Sequence, residues 1–212
     1  MCDMGKREVT AQDVLEATPR GSPPRVDLAA ATIAAGAFLE ALGLRCDREA
    51  TKQTPTRMAR AYAELLTARP FTPTTFENDE GYSQLVVVRG VPFASVCEHH
   101  ALPFVGTADL GYLPGARILG LSKLARVVEL FARRPQGQER MTQQIADWLQ
   151  ETLDPIGFGV VVRAEHLCMR LRGVQVIGTS TVTSALHGQV LDDGRCREEF
   201  LALTRRGSGG DS

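Results

Sequence analysis

The sequence predicts an α+β fold, an antiparallel sheet with helices on one face, preceded by an N-terminal helical region. Three observations carry that prediction. Short β-rich runs punctuated by Gly and Pro fall into two groups. Between the groups lie two stretches whose apolar residues recur at helical spacing, and two strand groups flanking two helices imply a sheet covered by those helices. The chain of 212 residues, 43% of them hydrophobic, is long enough to bury the core of one globular unit.

The elements follow in order. Residues 1–25 are polar and broken by Gly21, Pro23 and Pro24, and residues 205–212 (RRGSGGDS) are rich in Gly and Ser; both are expected to be disordered tails. A helical region is expected over 26–70. From Asp27, the residues Leu28, Thr32, Ala35, Leu39 and Leu42 share one stripe that stops before Gly43. A second helix starts at Thr54-Pro55, with Thr54 as N-cap and Pro55 in the first turn, and carries Met58, Tyr62 and Leu65. The remaining domain is expected over 71–204. Its strand-like runs are QLVVVRGV, PFASV, FVGTADLGYL and ARILGL. A helix from Ser122 puts Leu121, Leu124, Val128 and Phe131 on one side, and another beyond Pro135 carries Met141, Ile145, Trp148 and Leu149. After Gly157 and Gly159, GVVVRAEHLCMRLRGV and TSTVTSAL again read as strands, and no internal repeat occurs.

Bulk properties exclude several classes of function. With 24 basic and 25 acidic residues, a formal charge of -1 gives no general attraction to nucleic acid or to an anionic membrane. No apolar run approaches the roughly 20 residues that span a bilayer, and the N-terminus lacks the apolar stretch of a secretory signal, so a cytoplasmic protein is expected. Five cysteines without an export signal argue against a disulfide framework and for metal binding or plain burial.

The chemistry is concentrated in two short segments, Cys97-Glu98-His99-His100 and His166-Leu167-Cys168. Thiolate and imidazole are the favoured ligands of zinc, and a catalytic zinc site uses three protein ligands and one open position, a count that two cysteines and one histidine meet. A lone buried Cys or core His is more often structural, but both segments together point to a site. The second segment reads as a strand, whose alternation puts His166, Cys168, Arg170 and Arg172 on one face and Leu167, Met169 and Leu171 on the other. Ser122, Lys123 and Arg126 begin the helix LSKLARVVELFARR at spacings that let them meet on one surface, suited to phosphate oxygens or simply to solvent. Gln138 and Glu139 lie near the start of the next helix; a carboxylate there complements the helix N-terminus, or accepts hydrogen bonds from an edge such as guanine's.

The stretches SVCEHHALPFVG, GYLPGARILGLSKLARVVELFARRPQGQERMTQQIA, EHLCMRLRGV and STVTSAL together resemble the GTP cyclohydrolase I family, over roughly residues 27–203. The resemblance implies a tunnelling fold, in which subunits join their sheets into a barrel, and a homodecamer of two stacked pentamers with sites at subunit interfaces. It implies conversion of GTP and water into formate and 7,8-dihydroneopterin triphosphate, the first step of tetrahydrofolate, pterin or deazapurine biosynthesis. Carried over by position, the zinc ligands fall on Cys97, His100 and Cys168, and the catalytic histidines on His99 and His166. The guanine-reading pair falls on Gln138 and Glu139, and the triphosphate contacts on Lys123, Arg126 and Arg172, with Ser122 beside the ribose and phosphates. Gly137 and Val176-Ile177 depart from the family's usual residues, and Cys2, Cys46, Cys196 and His187 match no catalytic motif.

The implied chemistry is hydration of C8 of the purine, with His99 and His166 protonating ring nitrogens as C–N bonds break, and Ser122 taking part when the ribose rearranges. Two rivals make different demands. A nitrile reductase on a similar fold needs NADPH and a nucleophilic cysteine but no zinc. A zinc-stabilised scaffold binds metal and GTP without releasing formate, and has no evident need for His99 beside a ligand.

Overall fold

The computed structural model describes residues 26–205. The tail expected over 1–25, with Cys2, and positions 206–212 of the other tail lie outside the described residues. The helical pair opens the described chain. Helix α1 (Leu28–Ala41) is capped by Asp27, whose carboxylate accepts from the Ala30 N–H at 2.9 Å. Helix α2 (Thr54–Leu65) begins one residue earlier than its expected cap: Gln53 is the N-cap, Thr54 is already helical, and no side chain closes the end. The two pack on each other, with Gly36 against Pro55. Ala35 and Leu39 of the expected stripe are buried, whereas Leu28 and Leu42 face outward with Ile33 and Phe38.

A five-stranded sheet runs in the order β5-β2-β3-β6-β7, formed by β2 (Val86–Cys97), β3 (Pro103–Leu113), β5 (Pro135–Gln136), β6 (Gly157–His166) and β7 (Thr181–Gly188). All neighbours are antiparallel except β2 and β5. A separate pair joins β1 (Thr75–Glu77) to β4 (Arg117–Leu119). The runs QLVVVRGV and PFASV form one strand: a bulge between Val88 and Val91 lets it continue, with Gly90 at φ +66° and its N–H bonded to Asp109 Oδ1 at 2.7 Å.

Helices α3 (Leu121–Ala132) and α4 (Gln138–Leu153) cover one face, as expected. Leu124, Val127, Val128, Met141, Ile145 and Leu149 meet Phe104, Leu110, Phe158, Val160 and Val162 in one closed core. Leu121, placed on that apolar side by its spacing, is exposed because it sits at the open first turn.

The opposite face is not bare. After the short α6 (Gln189–Asp192), helix α7 (Gly194–Thr204) lays Phe200 over Gly111 and Gly159. A Cβ at position 159 would stand 2.4 Å from that ring, so only glycine admits it. Beneath α7, Arg163 bonds Asp109 and donates to the Thr204 carbonyl at 3.1 Å.

One strand expectation is corrected. The β-like run through EHLCMRLRGV stops at His166, and Leu167–Arg170 forms one helical turn, α5. The cause is loss of partners: β3 pairs with β6 only as far as Phe104 opposite His166, and β7 begins at Thr181 opposite Ala164. His166, Cys168, Arg170 and Arg172 therefore do not share a strand face.

Candidate metal and active site

Cys97 ends β2, and the chain reverses at once. Cys97 N–H bonds the Leu102 carbonyl and Ala101 N–H bonds the Cys97 carbonyl, with Ala101 in the left-handed region at φ 53°. This turn is tied down from three sides. Glu98 N–H reaches the Gln136 carbonyl at 3.1 Å. The Glu98 carboxylate takes two bonds from Arg140, at 3.1 and 2.6 Å, and that guanidinium holds the carboxyl below its usual pKa. Tyr62 of α2 donates to the Ala101 carbonyl at 2.9 Å.

The turn sets Cys97 Sγ 3.7 Å from His100 Nδ1 and 3.8 Å from His99 Nδ1. From the other side, α5 swings Cys168 inward. The ligand atoms of Cys97, His100 and Cys168 all lie within 4.8 Å of one another, with both cysteines buried and the histidine exposed. Donors around a tetrahedral zinc stand about 3.6 Å apart, given bond lengths of about 2.3 Å to sulfur and about 2.0 Å to nitrogen. The donor types suit zinc, and the 3.7 Å between Cys97 Sγ and His100 Nδ1 is near that spacing, with Cys168 within 4.8 Å. Burial, reinforced by the neighbouring Cys97, pushes the Cys168 thiol up, while Arg172 pulls it down. Two thiols crowded this way favour a cation that displaces their protons.

His166, the last residue of β6, stacks flat on Phe104, with centroids 4.7 Å apart and planes 4° off parallel. Its Nε2 lies 2.8 Å from Gln138 Oε1. Burial lowers the His166 pKa and the charge of Glu139 opposes that shift, which puts the Glu139 carboxylate within electrostatic reach of the ring. Gln138 is buried at the first position of α4, and its amide N–H groups serve the Val162 and Thr181 carbonyls and Thr183 Oγ1.

Not every expected residue gathers here. Ser122 and Arg126 are exposed and Lys123 half-buried on the first turns of α3, while Arg172, exposed beyond α5, reaches the group only through its charge on Cys168. Among the described residues, no hydrogen bond or ion pair links Ser122, Lys123, Arg126 or Arg172 to the metal-ligand group. Sequence reasoning passed over Glu98, Phe104, Gln136, Arg140 and Thr183. Glu98 and Arg140 stood inside the motifs CEHH and QER, where their adjacency to expected site residues was the available signal.

Two thiols and an imidazole converging on one point, with a second imidazole oriented beside them, form a group that could hold a metal ion on an α+β scaffold. The family model for GTP cyclohydrolase I matches residues 31–205, and the chain belongs to that family. It is 51% identical over 168 residues to the GTP cyclohydrolase 1 of Aquifex aeolicus, covering 79% of this chain and 91% of that one. To the GTP cyclohydrolase 1 of Mycobacterium leprae it is 50% identical over 174 residues, covering 80% and 85%. To that of Corynebacterium glutamicum it is 47% identical over 180 residues, covering 82% and 92%. Among solved structures, an archaeosine synthase QueF-Like in the apo form aligns at 17% identity with a TM-score of 0.42, over 50% of this chain and 94% of that one, too loosely to bear on function.

Proposed function

We propose that this chain converts GTP and water into 7,8-dihydroneopterin triphosphate and formate at the Cys97, His100 and Cys168 group, as the entry step to tetrahydrofolate, another pterin or a deazapurine. The observation that carries this reading is the convergence of those three ligand atoms within 4.8 Å, beside a histidine held by stacking and a hydrogen bond. Zinc held by Cys97, His100 and Cys168 supplies the Lewis acidity that makes water nucleophilic near neutral pH.

The protein's own groups supply the rest. His99 and His166 pass protons to the imidazole nitrogens of the purine as its C–N bonds open. Glu139 accepts from the amino and ring N–H edge of guanine; of the pair Gln138 and Glu139, only Glu139 has its side chain exposed and uncommitted. Lys123, Arg126 and Arg172 neutralise the triphosphate, with Ser122 beside the ribose.

The site is completed by assembly. We read the chain as a helical region over 26–70 and a tunnelling-fold catalytic domain over 71–204 that joins its sheet to copies of itself in a homodecamer. Support comes from the sheet's ends: β7 lacks an outer partner among the described strands, and β5 covers β2 only at Val96 and Cys97. Exposed Leu28, Ile33, Phe38, Val174 and Ile177 offer apolar cover for neighbours. Neither nucleic acid nor membrane enters this reading; no described helix is long and apolar enough to cross a bilayer. We place the enzyme in the cytoplasm on the sequence grounds given above.

Incubating the protein with GTP and measuring both formate and the fluorescence of the oxidised pterin tests the reading, with one formate expected per pterin. Pterin formation by protein stripped of zinc and of other divalent metals would overturn the metal's part, and absence of both products from zinc-loaded protein would overturn the activity.

A further inference from the structure

We infer that Gln138 is a positioning residue for His166: it fixes which ring nitrogen carries the proton and which faces the substrate. The inference rests on the function proposed above and deepens the part played by that histidine.

The argument starts from the amide. A glutamine side chain has two N–H donors on nitrogen and acceptor sites on oxygen. Around Gln138 Nε2 stand three acceptors, the Val162 carbonyl at 3.2 Å, the Thr181 carbonyl at 3.1 Å and Thr183 Oγ1 at 3.1 Å. Turning the amide over would set Oε1 against two carbonyl oxygens in a buried place, where an unmet polar group costs about 1–3 kcal/mol. The amide can therefore adopt only one orientation. Its oxygen must face His166, and at 2.8 Å an oxygen without a hydrogen can only accept.

The consequence falls on the ring. His166 Nε2 carries a hydrogen and donates it to Gln138 Oε1, which leaves Nδ1 of the neutral ring with the lone pair. Phe104, stacked at 4.7 Å and 4°, removes the remaining freedom to rotate. In turnover Nδ1 first takes up a proton from water, giving the imidazolium, and then passes that proton to the substrate, after which the ring is again in its Nε2–H form. The two carbonyls that orient the amide lie on β6 and β7, so adjacent strands hold it before any substrate arrives.

Solid-state NMR of protein selectively 15N-labelled at its four histidines reads the tautomer directly, with the His166 signals identified by their loss in His166→Asn. The expected spectrum shows His166 protonated at Nε2 and pyridine-like at Nδ1. A His166 protonated at Nδ1 overturns the inference, whether or not GTP is turned over, so its failure is distinguishable from failure of the proposed function. Gln138→Leu is the second arm. It should mix the His166 tautomers and lower kcat about 10- to 100-fold, with KM for GTP within about twofold and zinc content unchanged. A raised KM at unchanged kcat would make Gln138 a guanine reader instead and overturn the inference, as would unchanged kinetics. Should Gln138→Leu fail to fold, the spectrum of the unaltered protein decides alone.

Discussion

The two turns that deliver the side chains of the candidate metal group are built on opposite plans. The turn at Cys97 is held by its own chain: the Gln136 carbonyl, the Arg140 guanidinium and the Tyr62 hydroxyl all reach it from elements the same chain supplies. The turn at Cys168 has one short helical turn behind it and then runs into residues 171–180, all of them exposed, among them Leu171, Val174 and Ile177. Its ties are local, Arg170 to Glu165 at 3.0 Å and Val176 N–H to the Met169 carbonyl at 3.2 Å. One half of the site is thus held from several elements of the chain, whereas the other has only local ties and leads into an exposed apolar stretch.

The largest expected effect removes a donor from either half. His100→Asn and Cys168→Ser should both lose zinc, measured by metal analysis, and with it all pterin formation. His166→Asn, one residue before α5, should keep zinc and lose about 10²- to 10⁴-fold in turnover. Equal zinc loss in His166→Asn and His100→Asn would erase the distinction between ligand and proton donor.

The next effect separates the two turns. Ile177→Asp places a charge in the exposed apolar stretch, 80% accessible in the single chain. Light scattering should show a smaller assembly, with lost activity and an unchanged far-UV spectrum; a decamer of full activity would mean that this stretch covers nothing. Arg140→Gln acts on the other turn, where removing the clamp on Glu98 should weaken zinc about tenfold without changing the oligomer, as titration against a chelator would show.

How far the sequence discloses this contrast differs between the halves. Periodicity placed α3 and α4 and their buried faces, because apolar spacing encodes which side of a helix meets a core. That Cys97, His100 and Cys168 form one candidate metal-binding group was legible from residue type and clustering. The end of β6 was not: a run of β-formers does not record where its neighbours stop, and that limit is set by Phe104 and Thr181 far along the chain. Nor did the sequence disclose α7 on the second face, since Phe200 finds its place through glycines at 111 and 159 that read as mere punctuation. The side-chain direction of Gln138 depends on three acceptors from two strands, which only the assembled sheet brings together.

The smallest expected effect lies far from both turns. Asp193 caps α7, accepting from the Arg195 and Cys196 N–H groups at 2.7 and 3.1 Å. Those bonds hold its carboxyl below the usual aspartate range. A depressed carboxyl stabilises the fold above its unfolded pKa and loses that contribution as pH falls through the folded one. Asp193→Ala should therefore lower the melting midpoint slightly at neutral pH, and the gap from the unaltered protein should narrow as the medium is acidified below about pH 4. A gap that stays constant with pH would assign the effect to helix propensity alone.

The link from Asp109 through Arg163 to Thr204 also has a consequence in time. Its partners emerge during synthesis in that order, with 54 positions between the first two and 41 between Arg163 and Thr204. At about 5–20 residues per second, Arg163 waits about 2–8 seconds for its last acceptor. The central strands can pair in that interval, but a mostly covered guanidinium is left one hydrogen bond short until α7 docks. Closure of the far side of the sheet is therefore a late event in the life of the nascent chain. A chain cut before Thr204 contains every strand residue and the Cys97, His100 and Cys168 group but lacks the acceptor that completes that step.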